Sequence, residues 1–286
     1  MCSLYAVEVY IYVYYITRIV LISSNTHKNM SYYQPWGSIE NGQIEFESLS
    51  DDTLEGALNV IRKSFFLYEK VCIAVELNSE PGASKELEEL CLYAAKDGVS
   101  VVAVDVTTNE VIGVAFNKIQ MSSNSSEKSF FERFSENCRY KSSKALVDFM
   151  IDVDSRTNLF KHYYVNCILE IMFLATLPNY GKRRIGEMLV ASSLELGKEL
   201  RRGKNVRIPI TIQGSNKVTN ADAVPTLVSA IMTSNYSYQI AMKLHFDQLL
   251  KVPYDEYEYN GKKYSERINN QEHRQCVLVA KRLSPM

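Results

Sequence analysis

The segment 174–189 constrains the fold of this chain more than any other. It reads Leu-Ala-Thr-Leu-Pro-Asn-Tyr-Gly-Lys-Arg-Arg-Ile-Gly-Glu-Met-Leu. Its apolar start predicts a strand, its centre a tight basic turn, and residues 185–189 the apolar stripe of a helix. The first turn of a helix has unpaired backbone N–H groups and the positive end of the helix dipole. With the three basic residues 182–184 beside it, this turn is suited to bind a pyrophosphate.

The spacing of Gly181 and Gly186 resembles a P-loop, but the residues that follow do not. Glu187 and Met188 stand where a P-loop has lysine and a hydroxyl residue, so the machinery of nucleoside triphosphate hydrolysis is missing. The Rossmann pattern G-x-G-x-x-G is missing too, and this turn follows a late strand instead of the first one. The pyrophosphate of coenzyme A is the ligand that remains.

Composition indicates one large soluble domain. The chain has 286 residues, of which 46% are apolar and 23% are charged, enough to bury a proper core. A net charge of −1 gives no argument for a nucleic-acid partner. The six cysteines are scattered without a C-x-x-C pair, and the histidines form no metal-ligand spacing. We therefore expect no metal, and reduced thiols in the cytoplasm.

The first 29 residues differ from the rest of the chain. Residues 4–22 are rich in Tyr, Val and Ile, but Glu8 and Arg18 interrupt them, and a signal-peptide pattern is missing. We interpret residues 1–29 as an N-terminal extension outside the fold, with a membrane anchor as the alternative. Residues 30–286 then form a single domain, since no linker divides them.

Periodicity predicts alternating helices and strands in this domain. Helical patterns run from Asp51 to near Leu67 and over 86–96, 142–153, 185–200 and 237–244. Strand patterns cover 99–106 and 111–119, which form a hairpin, and 165–176, 226–233, 248–259 and 275–282. Residues 206–212 contain Pro209 and are at best an edge strand.

The turn and its flanks resemble the signature of the GCN5-related N-acetyltransferase (GNAT) superfamily. That signature is a strand followed by (Arg/Gln)-x-x-Gly-x-(Gly/Ala) at the start of a helix, and it maps onto 181–186. Gly181 replaces the first Arg or Gln, and Arg184 replaces the glycine. The resemblance implies acetyl-CoA as the acyl donor, bound by Leu174, Ala175, Thr176, Gly181, Lys182, Arg183, Arg184, Ile185 and Gly186.

Five further segments, in order over about 44–283, resemble the insect arylalkylamine N-acetyltransferase-like group. They are 64–69 (Ser-Phe-Phe-Leu-Tyr-Glu), 158–166, 233–246, 259–267 and 279–283. The group commonly ends the third of these with Leu-Gly-Phe, where this chain has His245 in place of glycine. The resemblance implies an α/β fold with a mixed, mostly antiparallel central sheet flanked by helices, and a splayed central strand pair.

The same resemblance assigns the chemistry. It implies transfer of acetyl to a small primary amine, an arylalkylamine such as dopamine, tyramine or serotonin. Glu69 becomes the base that takes the proton of the ammonium group, although Lys70 beside it is able to pair with it. Thr233 and Ser237 occupy the active-site hydroxyl positions, and a backbone N–H near 174–176 stabilises the oxyanion. No cysteine lies in a motif suited to an acyl-enzyme, so the transfer is direct, in a ternary complex.

Several alternatives stay open at this level. Glu69 is also explained as a surface loop carboxylate, and Ser237 as the N-cap of a helix that starts near Tyr238. The altered motif is compatible with a non-catalytic CoA-binding relative, and nothing distinguishes acetyl from a longer acyl group or an arylalkylamine from a polyamine. We expect a monomer with no membrane or nucleic-acid partner.

Overall fold

The computed structural model describes residues 33–122, 128–268 and 271–283. The predicted extension 1–29 lies outside these ranges, so its assignment stays a prediction. The described elements belong to one compact unit, 34–286. Within the described ranges, none of the helices combines the length and the apolar character needed to cross a bilayer.

An eight-stranded sheet forms the centre of the molecule. Its strands lie in the order β1-β2-β3-β4-β5-β6-β10-β7, and a separate hairpin is formed by β8 and β9. The bounds are β1 Pro35–Ile39, β2 Ile44–Ser48, β3 Val101–Asp105, β4 Glu110–Met121, β5 Cys167–Thr176, β6 Leu227–Met232, β7 Asp247–Pro253, β8 Glu258–Tyr259, β9 Lys262–Lys263 and β10 Gln275–Arg282. Every neighbouring pair is antiparallel except β5 and β6, which are parallel.

Helices cover the two faces of this sheet. They are α1 Asp51–Val60, α2 Phe66–Tyr68, α3 Lys70–Ala74, α4 Ala83–Ala95, α5 Phe130–Asn137, α6 Lys141–Ser155, α7 Leu159–Tyr163, α8 Ile185–Arg201, α9 Asn235–Lys243 and α10 Tyr264–Ile268. The crossover between the parallel strands β5 and β6 contains α8, because parallel neighbours need a long connection.

Two successive residues of β4 show which helices lie on which face. The Asn117 side chain donates a 2.9 Å hydrogen bond to Ser193 Oγ of α8. The next side chain, Lys118, points to the opposite face, where its Nζ lies 4.3 Å from the centre of the Tyr93 ring in α4 and pairs with the buried Asp97. Since side chains alternate along a strand, α8 and α4 cover opposite faces.

The parallel pair at the centre of the sheet separates along its length. Its register extends only from Ile168 opposite Leu227 to Ile171 opposite Ala230. Beyond this point β5 continues to Thr176 paired with β4 but not with β6, and a register shift opposite Phe116 and Asn117 bulges it at Met172. A bulge bends the strand that carries it. The predicted mixed sheet with a splayed central pair is confirmed.

The sequence patterns predicted most elements but missed some details. The helix that starts at Asp51 is interrupted by a π-helical turn, Ile61–Phe65. Residues 206–212 do not form the edge strand considered from their alternation, because Arg207 instead donates to the backbone oxygens of Asp97 and Ala223, each at 2.7 Å. Strands β1 and β2 were not predicted.

Candidate active site

A cavity of about 350 Å³ lies where β5 and β6 separate. Its walls contain three groups of predicted site residues: Glu69, the strand segment Leu174–Thr176, and the pair Thr233 and Ser237. These residues come from three distant parts of the sequence, so the fold brings them together. The predicted phosphate-binding residues 181–186 do not line this cavity, and instead lie at the start of α8, beyond the end of β5.

Glu69 lies in the extended break between α2 and α3, with φ −67° and ψ 143°. One carboxylate oxygen, Oε2, accepts a 2.7 Å hydrogen bond from the Cys72 backbone N–H. The other, Oε1, is buried and has no hydrogen-bond partner among the residues that the structure describes. A buried oxygen without a partner is energetically unfavourable until it accepts a proton or a hydrogen bond, which a substrate can supply.

Lys70 does not pair with Glu69. Both side chains line the cavity, yet within the described ranges no hydrogen bond or ion pair is formed by the Lys70 ammonium. The sequence-based expectation that these neighbours are able to neutralise each other is therefore not met in this structure.

The π-helical turn joins α1 to the open edge of β5. Ser64 in this turn donates a 2.7 Å hydrogen bond from Oγ to the backbone oxygen of Thr176. The next ring, Phe65, packs edge-on against Phe173 with 5.2 Å between the ring centres. π-Helical turns occur often at functional sites. Ser64 was not predicted as a site residue, although its segment carried part of the resemblance.

Thr233–Ser237 forms the turn between β6 and α9. The N-cap of α9 is Ser234, whose Oγ accepts from the Ser237 N–H at 3.1 Å, while the Ser237 Oγ accepts from the Ser234 N–H at 3.3 Å. Ser237 is therefore the third helical residue of a capping box, and the alternative that made it the N-cap is wrong. The helix begins at Asn235, two residues before the predicted start at 237, because the cap lies at Ser234.

Two buried aromatic side chains, Tyr254 and His273, form hydrogen bonds to the backbone of this turn. Tyr254, fully buried, donates a 2.6 Å hydrogen bond from its hydroxyl to the backbone oxygen of Thr233. His273 Nδ1 accepts a 3.1 Å hydrogen bond from the Asn235 N–H, at the first turn of α9. Burial, followed by the nearby Glu69 carboxylate, raises the pKa of the Tyr254 hydroxyl well above its ordinary value, so it remains a donor at neutral pH.

A second carboxyl lines the cavity near the point where β5 and β6 part. Glu170 is only 6% exposed, and its Oε2 accepts a 2.8 Å hydrogen bond from Gln120. Burial raises the pKa of the Glu170 carboxyl. Burial, followed by the charge of Glu170, also raises the pKa of the Asp154 carboxyl in α6. The apolar wall beside it consists of Leu146, Phe149 and Met150. Glu170 was missed from the sequence because a single acid within an apolar strand carries no motif.

The turn before α8 departs from ordinary backbone geometry at two basic residues. Lys182 and Arg184 have φ values of 63° and 62°, in the left-handed region that favours glycine. Arg184 Nη2 donates to Glu187 Oε1 at 2.7 Å, and this contact lowers the pKa of Glu187. Arg183 Nε donates to Glu40 Oε1 at 2.9 Å. Lys182 is exposed and forms no ion pair among the described residues, so it is the basic side chain available to a ligand.

The cysteines of the described ranges are poor nucleophiles. All five are free thiols. Burial raises the pKa of Cys167 to about 11 and that of Cys138 and Cys276 to about 12, and also raises the pKa of Cys72 and Cys91. A thiol that stays protonated at neutral pH does not attack a thioester readily, which agrees with direct transfer.

Comparison with solved structures identifies the fold. The chain is similar to arylalkylamine N-acetyltransferase 2 from Aedes aegypti, with a TM-score of 0.67 and 23% identity over 84% of this chain and 99% of that one. It is similar to putative arylalkylamine N-acetyltransferase 7 from the same mosquito, with a TM-score of 0.64 and 18% identity over 91% of this chain and 98% of that one. It is also similar to the Drosophila melanogaster polyamine N-acetyltransferase, which catalyses the formation of N-acetylagmatine. The TM-score is 0.63 and the identity 15%, over 84% of this chain and 100% of that one.

Comparison by sequence alone finds no match for this chain. No family model matches the chain, and no curated protein matches it by sequence. The structural similarity confirms the predicted fold: the chain has the GNAT fold in the form found in insect arylalkylamine N-acetyltransferases.

Proposed function

We propose that this chain, which has the GNAT fold, is an acetyl-CoA-dependent N-acetyltransferase that acetylates a small primary amine, an arylalkylamine such as dopamine, tyramine or serotonin. The observation that carries the proposal is the unpartnered Oε1 of Glu69 in the cavity where β5 and β6 separate. The mosquito arylalkylamine N-acetyltransferase and the Drosophila polyamine N-acetyltransferase, to which the chain is structurally similar, support the same reaction class.

The residues present fit acetyl-CoA as the acyl donor. Beyond Ile171 the edge of β5 that faces β6 has no strand partner in the described sheet, so its backbone groups from Met172 to Ala175 are available to an extended chain such as pantetheine. The N-terminus of α8 and the exposed Lys182 lie beyond the end of this strand, where a pyrophosphate would meet backbone N–H groups. Bound there, acetyl-CoA supplies the thioester that is attacked.

Glu69 removes the proton that blocks attack. An alkylamine has a pKa near 10, so it enters as an ammonium ion. Glu69 is held by the Cys72 N–H through Oε2, which leaves Oε1 to take the proton directly or through a water molecule. The free amine then attacks the thioester carbon, the C–N bond forms and the C–S bond breaks.

Groups around the cavity stabilise the charges that this step creates. A backbone N–H of 174–176 donates to the carbonyl oxygen as it gains negative charge. Ser237 supplies a hydroxyl proton toward the departing thiolate, for which the hydroxyl turns away from the Ser234 backbone oxygen to which it donates at 3.0 Å. Thr233 lines the same wall, and its backbone is held by Tyr254. The aromatic residues Phe65 and Phe149 provide walls for an aryl ring.

Glu170 favours a second candidate acceptor, a polyamine or agmatine. A buried carboxyl at the inner end of the cavity is suited to bind a second cationic group. An aryl amine would instead place a ring hydroxyl or indole N–H there.

A thiol-release assay on the full chain tests the proposal. It supplies acetyl-CoA with dopamine, tyramine, serotonin, agmatine or spermidine, and calorimetry measures acetyl-CoA binding in parallel. Turnover with aryl amines would support the first acceptor class, and preference for agmatine or spermidine the second. Binding without turnover on any amine would indicate a non-catalytic CoA-binding protein. Failure to bind acetyl-CoA would overturn the proposal.

A further inference from the structure

Two neighbouring residues of opposite charge line the cavity without pairing with each other. Glu69 uses one carboxylate oxygen for the Cys72 N–H and leaves the other buried without a partner. Lys70, also in the cavity wall, forms no hydrogen bond or ion pair with any residue in the described part of the chain. The cavity wall therefore presents, on adjacent residues, a buried carboxylate oxygen and a partly exposed ammonium group, neither of which has a partner in the described part of the chain.

Such a pair of charges is complementary to a zwitterion. A polar group that loses water without gaining a partner costs free energy, and a ligand ammonium group offsets this cost at Glu69 Oε1. A carboxylate on the same ligand can then pair with Lys70. In an α-amino acid the ammonium nitrogen and the carboxylate oxygens are separated by about 3 Å, so one small ligand carries both charges to the same part of the cavity wall. An amine without a carboxylate would satisfy Glu69 only and would leave Lys70 as a nearby like charge.

The remaining charge in the cavity fixes the orientation of such a ligand. Glu170 lines the cavity near the point where β5 and β6 part and, whether charged or neutral, offers no cation that would pair with a carboxylate there. The carboxylate is thus directed toward Lys70 and the side chain toward Phe65, Phe149 and Glu170. An aromatic side chain would fit this apolar region, where its phenol hydroxyl or indole N–H would be able to donate to the Glu170 carboxyl.

From these relationships we infer that the cavity also accepts aromatic α-amino acids and acetylates their amino group, with Lys70 as the residue that selects for the carboxylate. The inference rests on the proposed acetyltransferase function. The amino nitrogen gives its proton to Glu69 and attacks the thioester carbon. The N–C bond forms and the C–S bond breaks. The thiolate takes a proton from Ser237 or water, and the second proton of the nitrogen replaces it. Glu69 releases its proton to solvent, so the products are the N-acetyl amino acid, CoA thiol and one proton.

Matched acceptor pairs test this inference on the full chain. Tyramine and tyrosine differ only in the carboxylate, as do tryptamine and tryptophan, and kcat/KM is measured for each with product identity checked by mass spectrometry. The variants are Lys70→Met, which keeps the length of the side chain, and Lys70→Glu, which reverses its charge. Lys85→Met is the control, because Lys85 is an exposed residue of α4 outside the cavity.

We expect wild-type protein to acetylate tyrosine or tryptophan. The ratio of kcat/KM for the amino acid to that for its amine should fall about tenfold or more in Lys70→Met, since a hydrogen bond to a charged group is lost. It should fall further in Lys70→Glu and stay unchanged in Lys85→Met. Wild-type turnover of tyramine without turnover of any amino acid would overturn the inference and leave the proposed function standing. An unchanged ratio in both Lys70 variants would also overturn it, and no turnover with any acceptor would overturn both.

Discussion

The hydroxyl oxygens of Ser234 and Ser237 lie 3.0 Å apart, and each caps the backbone of the other residue. Ser237 thus has two roles within one geometry. It closes the capping box of α9, and it presents a hydroxyl to the cavity where the CoA thiolate would leave. This turn therefore contributes both to the stability of the protein and to the proposed catalysis. Single substitutions at the two serines should distinguish the two contributions.

Ser234→Ala and Ser237→Ala should lower stability to a similar extent but differ in their effect on kcat. Each removes part of the capping box, so each should lower the free energy of unfolding by about 1 kcal/mol. Ser237→Ala should in addition lower kcat about tenfold or more at saturating substrate, while Ser234→Ala keeps the hydroxyl that faces the thiolate. Thermal unfolding and steady-state kinetics on both variants measure the two effects. Equal loss of kcat in both would assign Ser237 to the cap alone.

Glu69→Gln should lower kcat about 10²-fold or more with little change in acetyl-CoA affinity, because the amide cannot accept the ammonium proton. The Gln amide also preserves the hydrogen bond from the Cys72 N–H through its oxygen. The rate deficit should shrink near pH 9.5, where a large share of the amine is already deprotonated. Calorimetry measures the acetyl-CoA affinity, and a pH–rate profile measures the loss of kcat and its dependence on pH.

The matched control for this variant is Glu89→Gln, an exposed carboxylate of α4 outside the cavity. It should leave kcat and affinity unchanged. A parallel loss of acetyl-CoA affinity and rate in Glu69→Gln would indicate that Glu69 supports the structure of the cavity and does not move the proton.

Arg184→Gly should stabilise the protein and preserve CoA binding. Arg184 has φ 62°, which glycine adopts without the steric cost of a side chain, and its exposed pair with Glu187 contributes little. Relief of this cost should raise Tm by about 2–4 °C. Lys182→Gly relieves the same backbone geometry but removes the free cation, so its affinity for acetyl-CoA should fall. Loss of affinity in Arg184→Gly would show that Arg184 contacts the phosphates directly.

Stability should decline in acid through His273. Burial, followed by the neighbouring Lys70, lowers the pKa of His273 below its ordinary value of 6.5, and its Nδ1 must stay unprotonated to accept from the Asn235 N–H. The unfolded chain then binds a proton near pH 6.5 that the folded chain does not, so stability is complete above this pH and decreases as pH falls below it. The nearby groups are Lys70, Glu272 and Tyr236.

His273→Asn tests this origin, because an amide oxygen accepts the same hydrogen bond without titrating. Chemical denaturation between pH 5 and pH 8 (on the order of six points) should show a flatter dependence in this variant than in the wild type. An identical pH dependence in both proteins would attribute the acid loss to other groups.

Much of the candidate site was visible in sequence as separate pieces. The Phe-Phe-x-x-Glu segment indicated Glu69, and the hydroxyl-rich turn indicated Thr233 and Ser237. Their roles stay predictions, but the structure places all three in the walls of one cavity. The helix boundary at this turn was misassigned because Ser234 and Ser237 are equally good caps by composition, and only backbone geometry distinguishes them.

The sequence by itself determined most of the longer strands and helices from Asp51 onward, because the period of apolar residues reports which face of each element is buried. It also determined the basic turn before α8 and, through the resemblance, the splayed sheet. Only the tertiary structure decided which charges remain without partners. Glu69 and Lys70 are neighbours that do not pair, and Glu170 lies in the same cavity as Glu69 although the two are distant in sequence. The reason is that burial and pairing depend on contacts between residues from different elements, which no local pattern contains.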